Sequence, residues 1–126
     1  MSEADPSEID GVWEMVRAEF DGTSAPDLVV ANTTVELACG EYRVRFRGET
    51  ADAGNFELGR SLDAKTMLLR GMEGLNSGRL IPCIYQLSGN RLRICYGLDG
   101  GVPTEFKTSG EKARYLAAYR RKSEHP

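Results

Sequence analysis

The stretch "IYQLSGNRLRICY" (residues 84–96) is typical of two short strands joined by a tight turn. Gly89 and Asn90 suit a two-residue hairpin loop of type I′, because both tolerate the positive φ that this turn needs. In that register one face carries Cys83, Tyr85, Leu87, Leu92, Ile94 and Tyr96, and the other carries Ile84, Gln86, Ser88, Arg91, Arg93 and Cys95. Such alternation predicts that the first face is buried and that the second is in water.

The segment "VELACGEYRVRFRG" (residues 35–48) repeats this pattern. A turn at Gly40-Glu41 puts six mainly apolar side chains on one face, namely Val35, Leu37, Cys39, Tyr42, Val44 and Phe46. The opposite face then carries Arg43, Arg45 and Arg47. From the two hairpins we expect Cys39 and Cys83 to be buried core thiols, and Cys95 to be the outward, reactive one.

Five further segments fit short strands, because apolar or β-branched side chains stand between glycines in each of them. These are residues 13–20, 55–58, 66–70, 104–107 and 115–121. One segment, residues 25–31, fits a short helix with Pro26 in its first turn. The sequence "YLAAY" at residues 115–119 also fits a helix. We favour a strand there because the sheet needs a closing edge.

Together these elements predict an all-β chain that folds as a single antiparallel up-and-down β-barrel of about eight short strands, with at most one short helix. A two-layer sandwich is the alternative. A chain of 126 residues is long enough for one domain with its own core. We assign that domain to residues 9–121 and expect disordered tails at residues 1–8 and 122–126.

Composition narrows the class of protein. Hydrophobic residues make up 40% and charged residues 28% of the chain, with a net charge of −3, which indicates a globular protein without a strongly basic character. No apolar run approaches the ~18 residues of a membrane helix, so no membrane span is expected. The acidic start "MSEADPSEID" is unlike a secretory leader, which predicts a cytoplasmic location for the chain as given, or export if a leader was removed. Three cysteines outside any CxxC pair fit a reducing compartment.

The N-terminal Gly11-Val12-Trp13, together with Arg120-Arg121, resembles the lipocalin pattern. This resemblance implies that Trp13 lies at the barrel floor and that an arginine of the last strand packs over its indole, a contact that suits a guanidinium. Neighbours on a strand point to opposite faces, so only one of the two arginines can make this contact. Both stay candidates.

A closer resemblance is to a bacterial family, the planctomycete lipocalin-like domains, which have calycin-type β-barrels. The matching pieces are "GVWEMVRAEFDGTSAP", "YRV", "GNFEL", "GLNSGRLIPCIYQLSGNRLRIC" and "PTEF", in this order over about residues 10–121. The chain departs from the family by lacking the proline usual before the middle strand, where it reads "LDAKTMLL". The resemblance implies a lipocalin-like barrel and, by analogy, a ligand cavity.

The inward side chains predict a binding site at the barrel mouth. We expect a small, partly apolar ligand to contact Tyr42, Phe56, Met67, Tyr85 and Tyr96. The same side chains also fit a filled core, because a barrel of eight strands can be packed by its own residues. In that case the protein is an interaction module that works through its outer faces or loops. A homodimer is left open.

Catalytic patterns are missing from the sequence. The only histidine, His125, lies in the C-terminal tail, so neither a histidine-based triad nor a His-rich zinc site is expected. We therefore expect a non-enzymatic protein with no metal and no cofactor. A stripe of outward arginines is a weaker basis for binding nucleic acid or phosphate, because the aromatic side chains lie on the opposite faces. The stripe consists of Arg43, Arg45, Arg47, Arg91 and Arg93.

Overall fold

The computed structural model describes residues 8–108 and 113–122. Its elements in chain order are β1 (Gly11–Phe20), β2 (Thr23–Ser24), α1 (Asp27–Asn32), β3 (Thr33–Ala38), β4 (Glu41–Phe46), β5 (Glu49–Arg60), β6 (Lys65–Gly74), β7 (Leu80–Ser88), β8 (Arg91–Gly97) and β9 (Arg114–Arg121). Most of the two predicted disordered tails, residues 1–7 and 123–126, lies outside the described residues. The alternative helix at residues 115–119 is wrong, because β9 is a strand throughout.

The strands form a closed up-and-down barrel. Each long strand pairs antiparallel with the next along the chain, and β1 pairs with β9 to close the eight-stranded ring. The short β2 pairs only with the end of β1. This confirms the predicted all-β barrel with one short helix and excludes the two-layer sandwich. Within the described ranges, no helix has the length and apolar character needed to cross a bilayer.

The β7–β8 hairpin has the predicted register. Cys83 lies opposite Tyr96, and Ile84 lies opposite Cys95, so the two cysteines are on different faces. The predicted turn type is wrong. Only Gly89 has a positive φ, of 59°, whereas a type I′ turn needs one at Asn90 as well. A positive φ at the first central residue alone is the pattern of a type II′ turn, which suits strand twist equally well.

The β3–β4 hairpin turns one residue earlier than predicted. Its central residues are Cys39 and Gly40, with φ of 53° and 80°, and Leu37 therefore lies opposite Tyr42. Each β3 residue pairs with a β4 residue two positions away from the predicted one, and a shift of two leaves the same side chains on each face of the hairpin. Cys39, however, lies in the turn and is exposed, so the prediction of a core thiol holds for the buried Cys83 and is wrong for Cys39.

The predicted strand at residues 104–107 does not form, because both edges of β8 are already paired, with β7 and with β9. Residues 98–108 instead lie over the outer face of the β7–β8 hairpin. The Arg93 guanidinium stands 4.0 Å from the centre of the Phe106 ring, and the Lys107 carbonyl lies 4.0 Å from the Cys95 sulfur. Cys95 lies on the outer face as predicted, but this segment covers it together with Ile84. Both residues are buried, so the prediction of a reactive thiol at Cys95 is wrong.

The arginine stripe is not one surface. Some of its members lie on or beside β4 and others on β8. Three strands separate β4 from β8 in either direction around the eight-stranded ring, so the two groups lie on opposite sides of the barrel. Arg43 and Arg45 bond to Thr50 and Glu36, at 2.7 and 3.1 Å. Arg93 bonds to Gln86 at 2.7 Å. These arginines are thus held by neighbours on their own strands or adjacent ones.

Candidate functional site

The two ends of the barrel are called the floor end and the mouth end. The floor end is where β1 begins and β9 ends, beside the turns at residues 39–40 and 89–90. The mouth end is opposite and carries helix α1, the turn at residues 47–48, the loop at residues 75–79 and the start of the 98–108 segment.

Trp13 plugs the floor end. Its side chain is 0% exposed, and its indole nitrogen donates a hydrogen bond of 2.9 Å to the Ile9 carbonyl. The Arg121 guanidinium lies 4.3 Å from the centre of the indole ring and donates to the carbonyls of Asp10 and Glu8, at 2.7 and 2.8 Å. The chain segment before β1 is thereby tied across the bottom of the barrel.

Of the two candidate arginines, Arg121 makes this contact. It pairs in register with Trp13, whereas Arg120 pairs with Glu14 on the outer face and forms an exposed ion pair there at 3.5 Å. Gly11 makes room for Arg121, because a Cβ at this position would lie 2.7 Å from the Arg121 Nη1 atom. Its φ of 147° is also one that residues with a side chain rarely adopt. The Gly-x-Trp pattern therefore has a steric explanation in this chain.

The mouth half of the barrel holds a cavity of about 350 Å³. Its walls come from all eight barrel strands, and its rim comes from the loop at residues 75–79 and from Leu98. The volume lies within the range of small-molecule sites, ~300–1,000 Å³. Most of the lining is aliphatic or aromatic, with a few polar groups among it.

The predicted ligand contacts fall into two groups. Tyr42, Met67 and Tyr96 line the cavity. Phe56 and Tyr85 are inward and buried as expected, with 6% and 3% of their surfaces exposed, but they belong to the packed core outside the cavity lining. The cavity therefore occupies only part of the barrel interior, and Phe56 and Tyr85 belong to the core beside it.

Two tyrosine hydroxyls meet on the cavity wall. The Tyr96 and Tyr119 oxygens are 2.8 Å apart, and the Tyr115 ring lies against Tyr96 with 5.5 Å between ring centroids. Burial raises the pKa of the Tyr96 hydroxyl, and the neighbouring Tyr119 raises it further. Burial likewise raises the pKa of Tyr119, so both phenols are hydrogen-bonded neutral groups that face the cavity.

Tyr42 is different, because its hydroxyl oxygen is buried and has no hydrogen-bond partner among residues 8–108 and 113–122. Only 4% of its surface is exposed. Burial, followed by the nearby Asp52 carboxylate and the Cys83 thiol, raises the pKa of Tyr42 to about 12. A buried hydroxyl without a partner costs on the order of 1–3 kcal/mol. The wall of the cavity thus contains a buried polar group without a hydrogen-bond partner.

Asp52 adds a carboxylate to the same wall. It is 6% exposed and accepts hydrogen bonds from Asn76, from the side-chain nitrogen at 2.8 Å and from the backbone nitrogen at 3.4 Å. Arg79 then donates to the Asn76 side-chain oxygen at 3.0 Å and to the Leu98 carbonyl. This chain of contacts fixes the rim loop to β5 on one side and to the end of β8 on the other.

Sequence reasoning missed Asp52 and the tyrosines of β9. The predicted strand began at residue 55, because Gly54 read as a breaker, whereas β5 starts at Glu49. Extending the predicted β5 strand backwards along β4 would have placed Asp52 inside the barrel, since it lies opposite the inward Val44. Similarly, the alternation of Tyr115, Ala117 and Tyr119 in the predicted closing strand already places these residues on one face.

Metal chemistry has no candidate in the described part of the chain, where no group of three or more His, Cys, Asp or Glu side chains could hold an ion. No protein-family model, no curated protein and no solved structure matches the chain. The resemblance to the planctomycete lipocalin-like domains therefore stays a prediction from the quoted motifs.

Proposed function

We propose that this chain is a non-enzymatic, lipocalin-like binding protein that holds a small, partly apolar molecule in the cavity at the mouth end of its barrel. One observation carries the proposal: the barrel holds a cavity of about 350 Å³ whose mainly apolar wall includes the Asp52 carboxylate and Tyr42, a residue with a buried hydroxyl that has no partner among the described residues. A site with apolar walls and a few convergent polar groups is the usual design of a small-molecule pocket.

The contrast with the floor half supports a ligand over an incompletely packed core. Voids larger than a water molecule are few in protein interiors, and each destabilises the fold. Here the void lies inside the barrel and is bordered at the mouth by a rim loop that Asn76 and Arg79 hold in position. The floor end is packed around Trp13. A ligand in the mouth half would restore the contacts that the wall residues lack and satisfy Tyr42.

The test is native mass spectrometry of the purified protein together with an organic extract of the same sample. We expect an adduct that disappears on denaturation and reappears in the extract, or one that forms after incubation with a panel of small apolar alcohols, amines, acids and retinoids. A bare monomer mass under all these conditions would contradict the proposal. A bare mass of twice the monomer would favour the rival interpretation, an interaction module that works through its outer faces.

Two variants locate any adduct. Val44 lines the cavity, so Val44→Trp should fill it and abolish the adduct. Val12 precedes the inward Trp13 on β1 and points to the outer face, so Val12→Trp is the matched control and should leave the adduct unchanged. Equal loss in both variants, or in neither, would place the bound molecule outside the barrel.

A further inference from the structure

The polar groups that line the cavity include several tyrosines and one carboxylate. Four of the five tyrosines of the chain line the cavity, namely Tyr42, Tyr96, Tyr115 and Tyr119. The lining also includes the Asp52 carboxylate, which, within residues 8–108 and 113–122, accepts hydrogen bonds only from the neutral Asn76. Among the described residues, no lysine or arginine forms an ion pair with Asp52.

This combination has a preferred partner. The face of an aromatic ring attracts a cation through its quadrupole, and rings of several aromatic side chains recognise ammonium groups. A buried carboxylate without a cationic neighbour is stabilised by a positive charge at hydrogen-bond distance. Tyr42 lies near Asp52 in the same wall, and its hydroxyl has no hydrogen-bond partner among the described residues.

We propose that the ligand of the mouth cavity is an apolar amine, bound in its protonated form, with the ammonium group beside Asp52 and Tyr42 and the apolar body among the aliphatic wall residues. This inference rests on the proposed function and names its ligand class. It also explains why the cavity combines a carboxylate with four tyrosines, whereas a purely apolar ligand needs neither.

The one basic side chain in the lining is Arg79, and it does not reverse this preference. Arg79 is exposed at the rim, where its guanidinium is bonded to the Asn76 side-chain oxygen and the Leu98 carbonyl. Asn76 stands between Arg79 and the carboxylate. An anionic ligand that reached the interior would meet Asp52 without a compensating cation at that depth.

Three probes with one carbon skeleton test the inference: 1-naphthylmethylamine, 1-naphthalenemethanol and 1-naphthoic acid. They are titrated into the protein near pH 7 and followed by naphthalene fluorescence and calorimetry. We expect the amine to bind about tenfold more tightly than the alcohol, the ratio that a modest cation–π and charge contribution supplies, and the acid to bind most weakly.

A matched pair of variants assigns the preference to one carboxylate. Asp52→Asn keeps an oxygen that can accept from Asn76 and should reduce amine affinity about tenfold while leaving alcohol affinity within about twofold. Asp63→Asn changes the net charge equally at an exposed position in the floor-end turn between β5 and β6, and should change neither affinity. Circular dichroism of both variants confirms that the fold is retained.

The outcomes separate the two proposals. Equal or tighter binding of the alcohol or the acid overturns the amine inference and leaves the cavity proposal intact. A preference for the amine that survives Asp52→Asn also overturns the inference. If no probe binds and Val44→Trp still abolishes an adduct in mass spectrometry, the cavity is real and its ligand is not an amine of this class. If neither experiment detects a bound molecule, both proposals fail.

Discussion

The floor and the mouth of this barrel are built from the same alternating strands, yet they differ in what the inward side chains accomplish. At the floor end, Trp13 is fully buried and donates to the Ile9 carbonyl, and Arg121 packs over the indole and bonds to the backbone before β1. In the cavity wall, Tyr42 has a buried hydroxyl without a partner among the described residues, and Asp52 lines the space towards the mouth. Both ends obey the period-two rule of a half-buried strand.

The difference arises from what covers each end. The segment before β1 crosses the floor and supplies the Ile9 side chain and the backbone carbonyls that Trp13 and Arg121 bind. The mouth is bordered by short loops whose apolar side chains point partly to solvent, among them Leu75, which is 84% exposed. A barrel of this size is therefore filled or hollow according to its caps, and alternation in the strands is compatible with either state.

The largest expected effect is alkaline unfolding. All five tyrosines have a raised pKa, chiefly because of burial. The unfolded chain ionises its tyrosines near pH 10, so stability is unaffected below that pH and falls as the pH rises above it. For Tyr42 the fall continues to its folded pKa of about 12.

Absorbance at 295 nm during a pH titration measures this effect. We expect little tyrosinate signal from the native protein just above pH 10, followed by a cooperative rise together with loss of the β-sheet dichroism. The same chain in guanidinium chloride should titrate near pH 10 throughout. Normal titration of four tyrosines in the folded protein would mean that the mouth is open to water and not a protected cavity.

Next in size is the floor plug. Replacing Trp13 by alanine removes a fully buried indole and its hydrogen bond to Ile9, and should lower the free energy of unfolding by ~3–5 kcal/mol. Urea unfolding followed by circular dichroism measures the change. A loss below ~1 kcal/mol would show that the floor is not the packed end and would remove the contrast with the mouth.

The two arginines of β9 test which side chain caps the floor. Arg121→Met removes two hydrogen bonds from a charged donor and the contact with Trp13, for an expected loss of about 2 kcal/mol. Arg120→Met removes one exposed ion pair and should cost less than about 1 kcal/mol. Thermal or urea unfolding distinguishes them. Equal losses would contradict the assignment of Arg121 as the cap.

The smallest effect concerns the mouth. Tyr42→Phe removes a hydroxyl that has no partner and should change the free energy of unfolding by less than about 0.5 kcal/mol, whereas Tyr96→Phe breaks the bond to Tyr119 and should cost ~1 kcal/mol. A large loss from Tyr42→Phe would mean that its hydroxyl is already satisfied in the free protein. The same variant is expected to weaken amine binding, so stability and affinity separate at this residue.

Most of the fold could be predicted because its signals are local. Alternation and glycine turns give both faces and the closing strand, and the β7–β8 register follows from the loop length alone. Residues 104–107 show where local signals end. They alternate like a strand, but no free edge exists for them in a closed ring, and so they cover Cys95 instead. Edge availability is a property of the whole barrel, which no single segment reveals.

The candidate site was harder to predict from the sequence, for a related reason. Tyr42, Met67 and Tyr96 could be placed inside from their own strands, but which inward residues border empty space depends on how far the floor packing reaches. Phe56 and Tyr85 fall on the filled side of that limit. Asp52 was overlooked because a glycine at position 54 was taken as the end of a strand, whereas that glycine permits close approach of the Arg70 backbone across β5 and β6.

The pairing of β1 with β9 has a consequence for how the protein is made. Trp13 finds its strand partner at Arg121, more than a hundred positions later in the chain, so the ring cannot close during synthesis until β9 has left the ribosome. Until then β1 has an unpaired edge and an uncovered indole. Long-range pairings of this kind give folding times of milliseconds to seconds, slow enough for chaperones to act. The nascent chain should therefore be the form of this protein most prone to aggregation.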